Sequence, residues 1–224
     1  MKKIVSFVEG EGDAEAVPIL LRKILSSQQA FDAVSIDPSP FRIGQINKLR
    51  KNGFRDWHNK IRAAMKQPNV GGILLLLDGD VDLKSKQPFC AMTVARELAA
   101  EANAVGAGAT FSVACVFACL EFESWLIAAA PGMGTLPDGR ELTLPDPMPT
   151  NPEEAPRAAK AWLNSVLPGG YRATTDQSVL TKAIDLEVLR TANLRSFRRL
   201  EHALAELVTA VRTGNHVASP MIGD

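Results

Sequence analysis

Three carboxylates at alternating positions, Asp78, Asp80 and Asp82, follow directly on the apolar run from Ile73 to Leu77, which is itself preceded by Gly71-Gly72. A run of this length is too short to span a bilayer, so it reads as a buried parallel strand that delivers its carboxylates at the carboxyl end. In open α/β sheets that is where ligands bind. Gly79 lets the backbone approach a ligand closely. A second apolar strand, Ile4 to Val8, ends in Glu9-Gly10-Glu11-Gly12-Asp13-Ala14-Glu15, again rich in carboxylates. One carboxylate from the first strand and two from the other, converging at one sheet edge, form an oxygen-only donor set that suits Mg2+ or Mn2+. Such an ion stabilises charge on a phosphoryl group and lowers the pKa of bound water, and a second ion clamps the attacking and leaving oxygens. The expected chemistry is phosphodiester cleavage. The plain alternative is a solvated turn with acidic decoration.

Other motifs narrow the field. Gly10-Glu11-Gly12 resembles the start of a dinucleotide fingerprint, but the third glycine is missing and four acids would repel a pyrophosphate. No GxxxxGK[ST] run exists, so any ATPase is a partner rather than this chain. Glu121 and Glu123 follow the apolar stretch Thr110 to Cys119 and reach the same sheet edge as Asp78 and Asp80. Two readings stand for them: ligands completing the shell of a second ion, or a helix cap at Glu121 and an ion pair at Glu123. Between Arg42 and Lys66 eight cations face Asp56 alone, a net of +7. Phe54, Trp57 and His58 interleave with Arg50, Lys51, Arg55 and Lys60, the composition of a surface that holds a phosphate backbone and stacks on bases. The competing account is a solvated helix with Phe54, Trp57 and Ile61 as its apolar stripe. Arg198 and Arg199, after a serine cap at Ser196, are further candidates for a substrate phosphate. Cys90, Cys115 and Cys119 lie in apolar sequence without a CxxC pair and read as buried thiols. His58, His202 and His216 have no metal-ligand spacing.

The elements that must position these residues alternate strand and helix. Strands are expected at 4–8, 33–36, 72–77 and 110–119, with helices at 13–26, 45–65, 88–105 and 122–129. That order predicts an α/β fold with a mainly parallel sheet flanked by helices over residues 1–130. Seven prolines between Pro131 and Pro156 exclude regular elements there and leave a long loop or flap. Helical spacing returns at 158–167, 177–189 and 196–211, so residues 157–224 are expected to be a helical carboxyl extension packed on the same domain. A chain of 224 residues with 46% hydrophobic and 22% charged residues can bury a sizeable core, and its net charge of zero names no partner. The amino terminus turns acidic at Glu9, too early for a secretory signal, and no run could span a membrane. A cytoplasmic location is expected.

Glu9-Gly10 after one apolar strand, Asp13, and Asp78-Gly79-Asp80 after another resemble the two motifs of Toprim domains, the metal-binding modules of topoisomerases, primases, recombination-mediator proteins and overcoming-lysogenization-defect nucleases. The resemblance implies that Glu9 is a general acid/base or metal ligand and that Asp78 and Asp80 hold magnesium. It further implies that Asp13 is a ligand for a second metal; Asp82, one alternate position beyond the motif, is either a further ligand or a solvent-facing residue. Val8-Glu9-Gly10, the segment Leu120 to Leu126, and Tyr171 through Ser196-Phe197-Arg198-Arg199-Leu200 resemble more closely the domain of unknown function 4276 family, stand-alone Toprim-like proteins with a helical carboxyl part. That resemblance implies a nuclease of DNA or RNA, a neighbouring ATPase as partner and a role in defence against phage. Two rivals remain: a non-catalytic Toprim-like interaction module, and a haloacid-dehalogenase-like phosphatase with Asp78 as nucleophile. The phosphatase leaves Glu9 without a role, and its threonine position is occupied here by Asp82.

Overall fold

A computed structural model of the protein describes residues 1–79 and 90–221. Asp80 and Asp82 therefore lie outside the described residues, as does the start of the helix expected from Pro88. The described chain runs β1 (Lys2–Val8), α1 (Glu11–Ser27), β2 (Val34–Ile36), β3 (Phe41–Arg42), α2 (Ile46–Met65), β4 (Val70–Asp78), α3 (Ala91–Asn103), β5 (Ser112–Ala118), α4 (Glu123–Ala129), α5 (Ala159–Val166), α6 (Ala173–Ala183), α7 (Leu186–Thr191), α8 (Arg195–Thr213) and β6 (Ala218–Ser219), with one 3-10 turn at Ala130–Gly132. The strands form a six-stranded sheet in the order β2-β1-β4-β5-β6, with β3 pairing β1 beyond β2. All the pairings are parallel. The expected α/β sheet flanked by helices is what the chain forms.

Alternation along the central strands assigns the two faces. Ile4, Val8, Leu74, Leu76, Ala114 and Val116 pack with α1, α4 and the carboxyl helices. Val5, Phe7, Ile73, Leu75, Leu77, Val113 and Phe117 pack with α2 and α3. Parallel strands buried on both sides carry apolar residues at every position, which is why Ile73 to Leu77 shows no polar alternation. The carboxyl helices share one cluster with β1, β4 and β5. With α1 and α4 they close one face of the sheet, α8 over β4 and β5 and α1 over β1 and β2.

Several local expectations shift. The basic helix is broken at Lys51–Phe54, where Asn52, Gly53 and Phe54 all have positive φ. Trp57 and Ile61 are buried and Phe54 is half-buried, so the apolar stripe faces the core while Lys51 and Arg55 face solvent. The helix expected over 177–189 is two helices, α6 and α7. Asp185 separates them, its side chain accepting from Glu187 N–H at 2.8 Å. Ser196 lies inside α8 instead of capping it. Cys90 is exposed, unlike the buried Cys115, because it stands at the entrance to α3 and not within an apolar strand. The proline-rich stretch is irregular after the 3-10 turn but is tied down, with Thr143 N–H donating to Val166 O at 2.8 Å and Arg140 pairing with the buried Asp176. No helix among the described residues is long and apolar enough to cross a membrane.

Candidate functional site

The neighbouring strands β1 and β4 belong to helix crossings on opposite faces of the sheet. From β1 the chain crosses to β2 through α1 on one face, whereas β4 is entered from α2 on the opposite face. A crevice forms between the carboxyl ends of two such strands, and it is the place where α/β sheets bind ligands. Val8 pairs with Leu76, and Asp78 with Ala118. The residues that follow β1, β4 and β5 are thus neighbours at one edge.

Asp78 is the hub of that edge. Its Oδ1 accepts from Phe122 N–H at 2.9 Å, which joins the ends of β4 and α4. Burial pushes its carboxyl well above the ordinary 3.8, and the negative charges of Asp13 and Glu123 push it further in the same direction. Asp13, in the first turn of α1, accepts from Gly10 N–H at 3.0 Å and from Gln177 Nε2 at 2.8 Å. Glu123, only 2% exposed, is raised first by burial; Lys160 opposes that shift. Tyr171 Oη donates to Glu123 Oε1 at 2.9 Å. Lys160 Nζ lies 3.2 Å from Glu121 Oε1 and 3.6 Å from Glu123 Oε2. Burial alone would lower Lys160, yet Glu123, Asp78 and Glu121 together hold it above its ordinary value. Glu121 Oε2 is buried with no hydrogen-bond partner among the described residues.

Asp13, Asp78, Glu121 and Glu123 are therefore brought to one electrostatic neighbourhood, and Glu9 stands half-buried directly after β1. For Glu123 the ion pair with a nearby cation is present, whereas α4 is preceded by Phe122 as its cap residue, not by Glu121. Lys160, Tyr171 and Gln177 come from α5, α6 and the turn between them, so the carboxyl helices build part of the site. Sequence reasoning missed Lys160 and Gln177 altogether and met Tyr171 only as part of a family pattern. Neither residue carries a local signal, because each contact spans 37 residues or more.

The basic candidates fall into two groups. Lys51 and Arg55 are exposed on α2, near the carboxyl edge where that helix begins. Arg50 is paired with Glu97 at 2.9 Å, and Lys60 is half-buried farther along α2. Arg198 is exposed on α8, whereas Arg199 turns to Glu206 at 3.2 Å and to Ser219. That makes Arg199 a brace between α8 and β6.

Docking of α6 on α1 depends on Gly12. A Cβ there would stand 2.6 Å from the Ala173 carbonyl oxygen, a backbone atom that cannot rotate away. Helix propensity favours alanine over glycine by about 1 kcal/mol, but overpacking against backbone costs roughly 1–3 kcal/mol and should win. Gly12→Ala is expected to lower the melting temperature. A rise would mean that α6 does not sit where Gln177 can hold Asp13.

The family model for the domain of unknown function DUF4276 matches residues 8–205. No curated protein and no solved structure matches the chain at a significant level. The family match begins at the last residue of β1 and ends within α8, so it takes in the strand ends and the carboxyl helices that together build the acidic site. The chain belongs to the DUF4276 family.

Proposed function

We propose that this protein is a Toprim-like, Mg2+- or Mn2+-dependent phosphodiesterase acting on DNA or RNA. The observation that carries the reading is the meeting of Asp13, Asp78, Glu121 and Glu123 from three strand ends at the switch point of the sheet. The donor set is all oxygen, as hard divalent cations require. Burial, and after it the negative charges of Asp13 and Glu123, raises Asp78, and Glu121 keeps a buried oxygen without a hydrogen-bond partner among the described residues, so the residue types fit a cation. A cation bound there supplies stabilisation of phosphoryl charge and an acidified water. Asp78, Asp13, Glu121 and Glu123 are assigned to hold it, together with Asp80 and Asp82. Glu9 is assigned to take the proton of the attacking water, a general-base role open to a carboxylate beside the cluster. Exposed Lys51 and Arg55 are assigned to the phosphate backbone of the substrate, and Arg198 serves as a further contact.

A second reading, an interaction module working with a separate ATPase, draws on two observations. Asp13, Asp78 and Glu123 each already have a protein hydrogen-bond donor. Among the described residues, no three His, Cys, Asp or Glu side chains are gathered as a ready-made metal cage. The two readings separate in a cleavage assay on supercoiled plasmid, single-stranded DNA and structured RNA in Mg2+ and in Mn2+, with Glu9→Gln as control. Cleavage that Glu9→Gln removes supports the enzyme. Absence of cleavage with every substrate and metal moves the assignment to the interaction module.

The basic surface has its own test. Lys51→Ala combined with Arg55→Ala should weaken nucleic-acid binding and reduce the slope of log affinity against log salt by roughly 2. An unchanged slope would leave α2 as an ordinary solvated face.

A further inference from the structure

We propose that Lys160 is a tethered counter-cation for the acidic centre, its ammonium occupying in the metal-free protein the place that a divalent cation takes, so that cation binding displaces it. The inference rests on the metal-centre reading above and concerns how that centre is kept and loaded. Lys160 sits in the first turn of α5, and its ammonium bridges Glu121 Oε1 at 3.2 Å and Glu123 Oε2 at 3.6 Å. It also feels the charge of Asp78, so it addresses the ends of both β4 and β5. The like charges of Glu121, Glu123 and Asp78, all of which act on Lys160, would repel one another without a positive charge among them. One ammonium offsets part of that repulsion, and Glu121 Oε2 still has no hydrogen-bond partner among the described residues.

The geometry of the side chain suits a replaceable partner more than a permanent one. Lys160 remains 48% exposed although its ammonium reaches Glu123, whose side chain is 2% exposed. A flexible four-carbon stem that is half in water can swing its charge outward at little cost, because the ammonium is strongly hydrated there. A divalent cation brings twice the charge and can take both oxygens of a carboxylate. Tyr171 and Gln177 do not leave with Lys160, since they hold Glu123 and Asp13 by neutral hydrogen bonds from a different segment. The carboxylates are thus held in place while the charge among them is exchanged. A permanent structural ion pair would instead keep Lys160 in position whether or not a cation is present.

The test is calorimetric titration of the full chain with MnCl2, for the wild type and for Lys160→Met, which keeps an unbranched apolar stem without the charge. The expected result is Mn2+ binding tighter in the variant by about tenfold or more, since the competing charge within the cluster is gone. Its metal-free melting temperature should be lower, and saturating Mn2+ should narrow or reverse the difference. Equal or weaker Mn2+ binding in a folded variant overturns the counter-cation role while leaving the metal centre intact. No binding of Mn2+ to either protein overturns the metal centre itself. A measurement on the wild type alone covers the case in which Lys160→Met does not fold. Labelling by an amine-reactive reagent, read at Lys160 by mass spectrometry, should speed up at Mn2+ concentrations that saturate binding. Labelling that stays constant or slows at saturation overturns the proposal.

Discussion

Asp78→Asn is expected to abolish metal-dependent hydrolysis and, in the same molecule, to raise the stability of the metal-free protein. The loss of activity should reach at least about a hundredfold, because the neutral amide removes the carboxylate that the proposed function puts at the centre of the donor set. The gain in stability follows from the environment of that carboxylate. Asp78 is raised by burial, then by Asp13 and by Glu123; Lys160 and the Phe122 N–H oppose this incompletely. Asparagine keeps an oxygen for Phe122 N–H and carries no charge for Asp13 or Glu123 to repel. The sign of the pH dependence follows. A carboxyl whose folded pKa lies above its unfolded value leaves the native state binding more protons than the unfolded chain, so its contribution is complete below the ordinary 3.8 and is lost as pH rises through the raised value. Glu123 is shifted in the same direction and adds to the same slope. Metal-free wild type should therefore lose stability relative to Asp78→Asn as pH rises from about 4 towards neutrality. Melting curves across that range, in EDTA, make the comparison. Retained activity would remove Asp78 from the chemistry, and a lower melting temperature would mean that the charge is better compensated than the burial implies.

Glu153→Ala should give the largest loss of stability. This glutamate lies in the proline-rich stretch, is 7% exposed, and supplies the cap that α8 lacks from its own sequence. Its Oε2 accepts from Arg195 N–H at 2.9 Å, and its Oε1 accepts from Ser196 N–H at 2.7 Å and from the Ser196 hydroxyl. Ser196 Oγ in turn accepts from Trp125 Nε1 at 2.8 Å, which carries the network to α4 beside the acidic site. A carboxylate at a helix N-terminus also faces the positive end of the dipole. Truncation removes the cap and leaves the Arg195 and Ser196 N–H groups at the start of α8 without this acceptor. The expected loss is about 3 kcal/mol, which in a chain of this size lowers the melting temperature by roughly 6–12 °C. Glu153→Gln retains an acceptor oxygen and should lose about half as much. Circular dichroism melts of the two variants test this. A loss below about 0.5 kcal/mol for the alanine variant would show that water replaces the cap and that the proline-rich stretch is not anchored here.

How far these features were legible in the sequence depended on the range of the interaction that creates them. The apolar run Ile73 to Leu77 and its abrupt acidic end announced β4 and Asp78, since a strand buried on both faces must be apolar throughout. β1 was legible for the same reason, and α1 from the 3.6-residue spacing of its apolar residues. The two-residue β3 is too short to have a period. The break in α2 at Asn52, Gly53 and Phe54 is a matter of φ, which hydrophobic spacing does not record. The helix expected across 177–189 failed in the same way at Ile184 and Asp185, where the apolar stripe continues through a residue that starts a new helix. Ser196 carried a cap residue's chemistry at a plausible place, yet the cap comes from Glu153, which lies 43 positions away.

By itself the sequence determined an α/β sheet, the strand ends that carry its acids, and a helical carboxyl third, because periodicity and composition are local and each element must bury an apolar face. Tertiary structure alone decided that Asp13, Asp78, Glu121 and Glu123 share one electrostatic neighbourhood, and that Lys160, Tyr171 and Gln177 from the carboxyl third are what they meet there. The physical reason is that strand order and helix docking bring together residues separated by as many as 164 positions. The burial and mutual repulsion that set their charge exist only once those residues have been brought together.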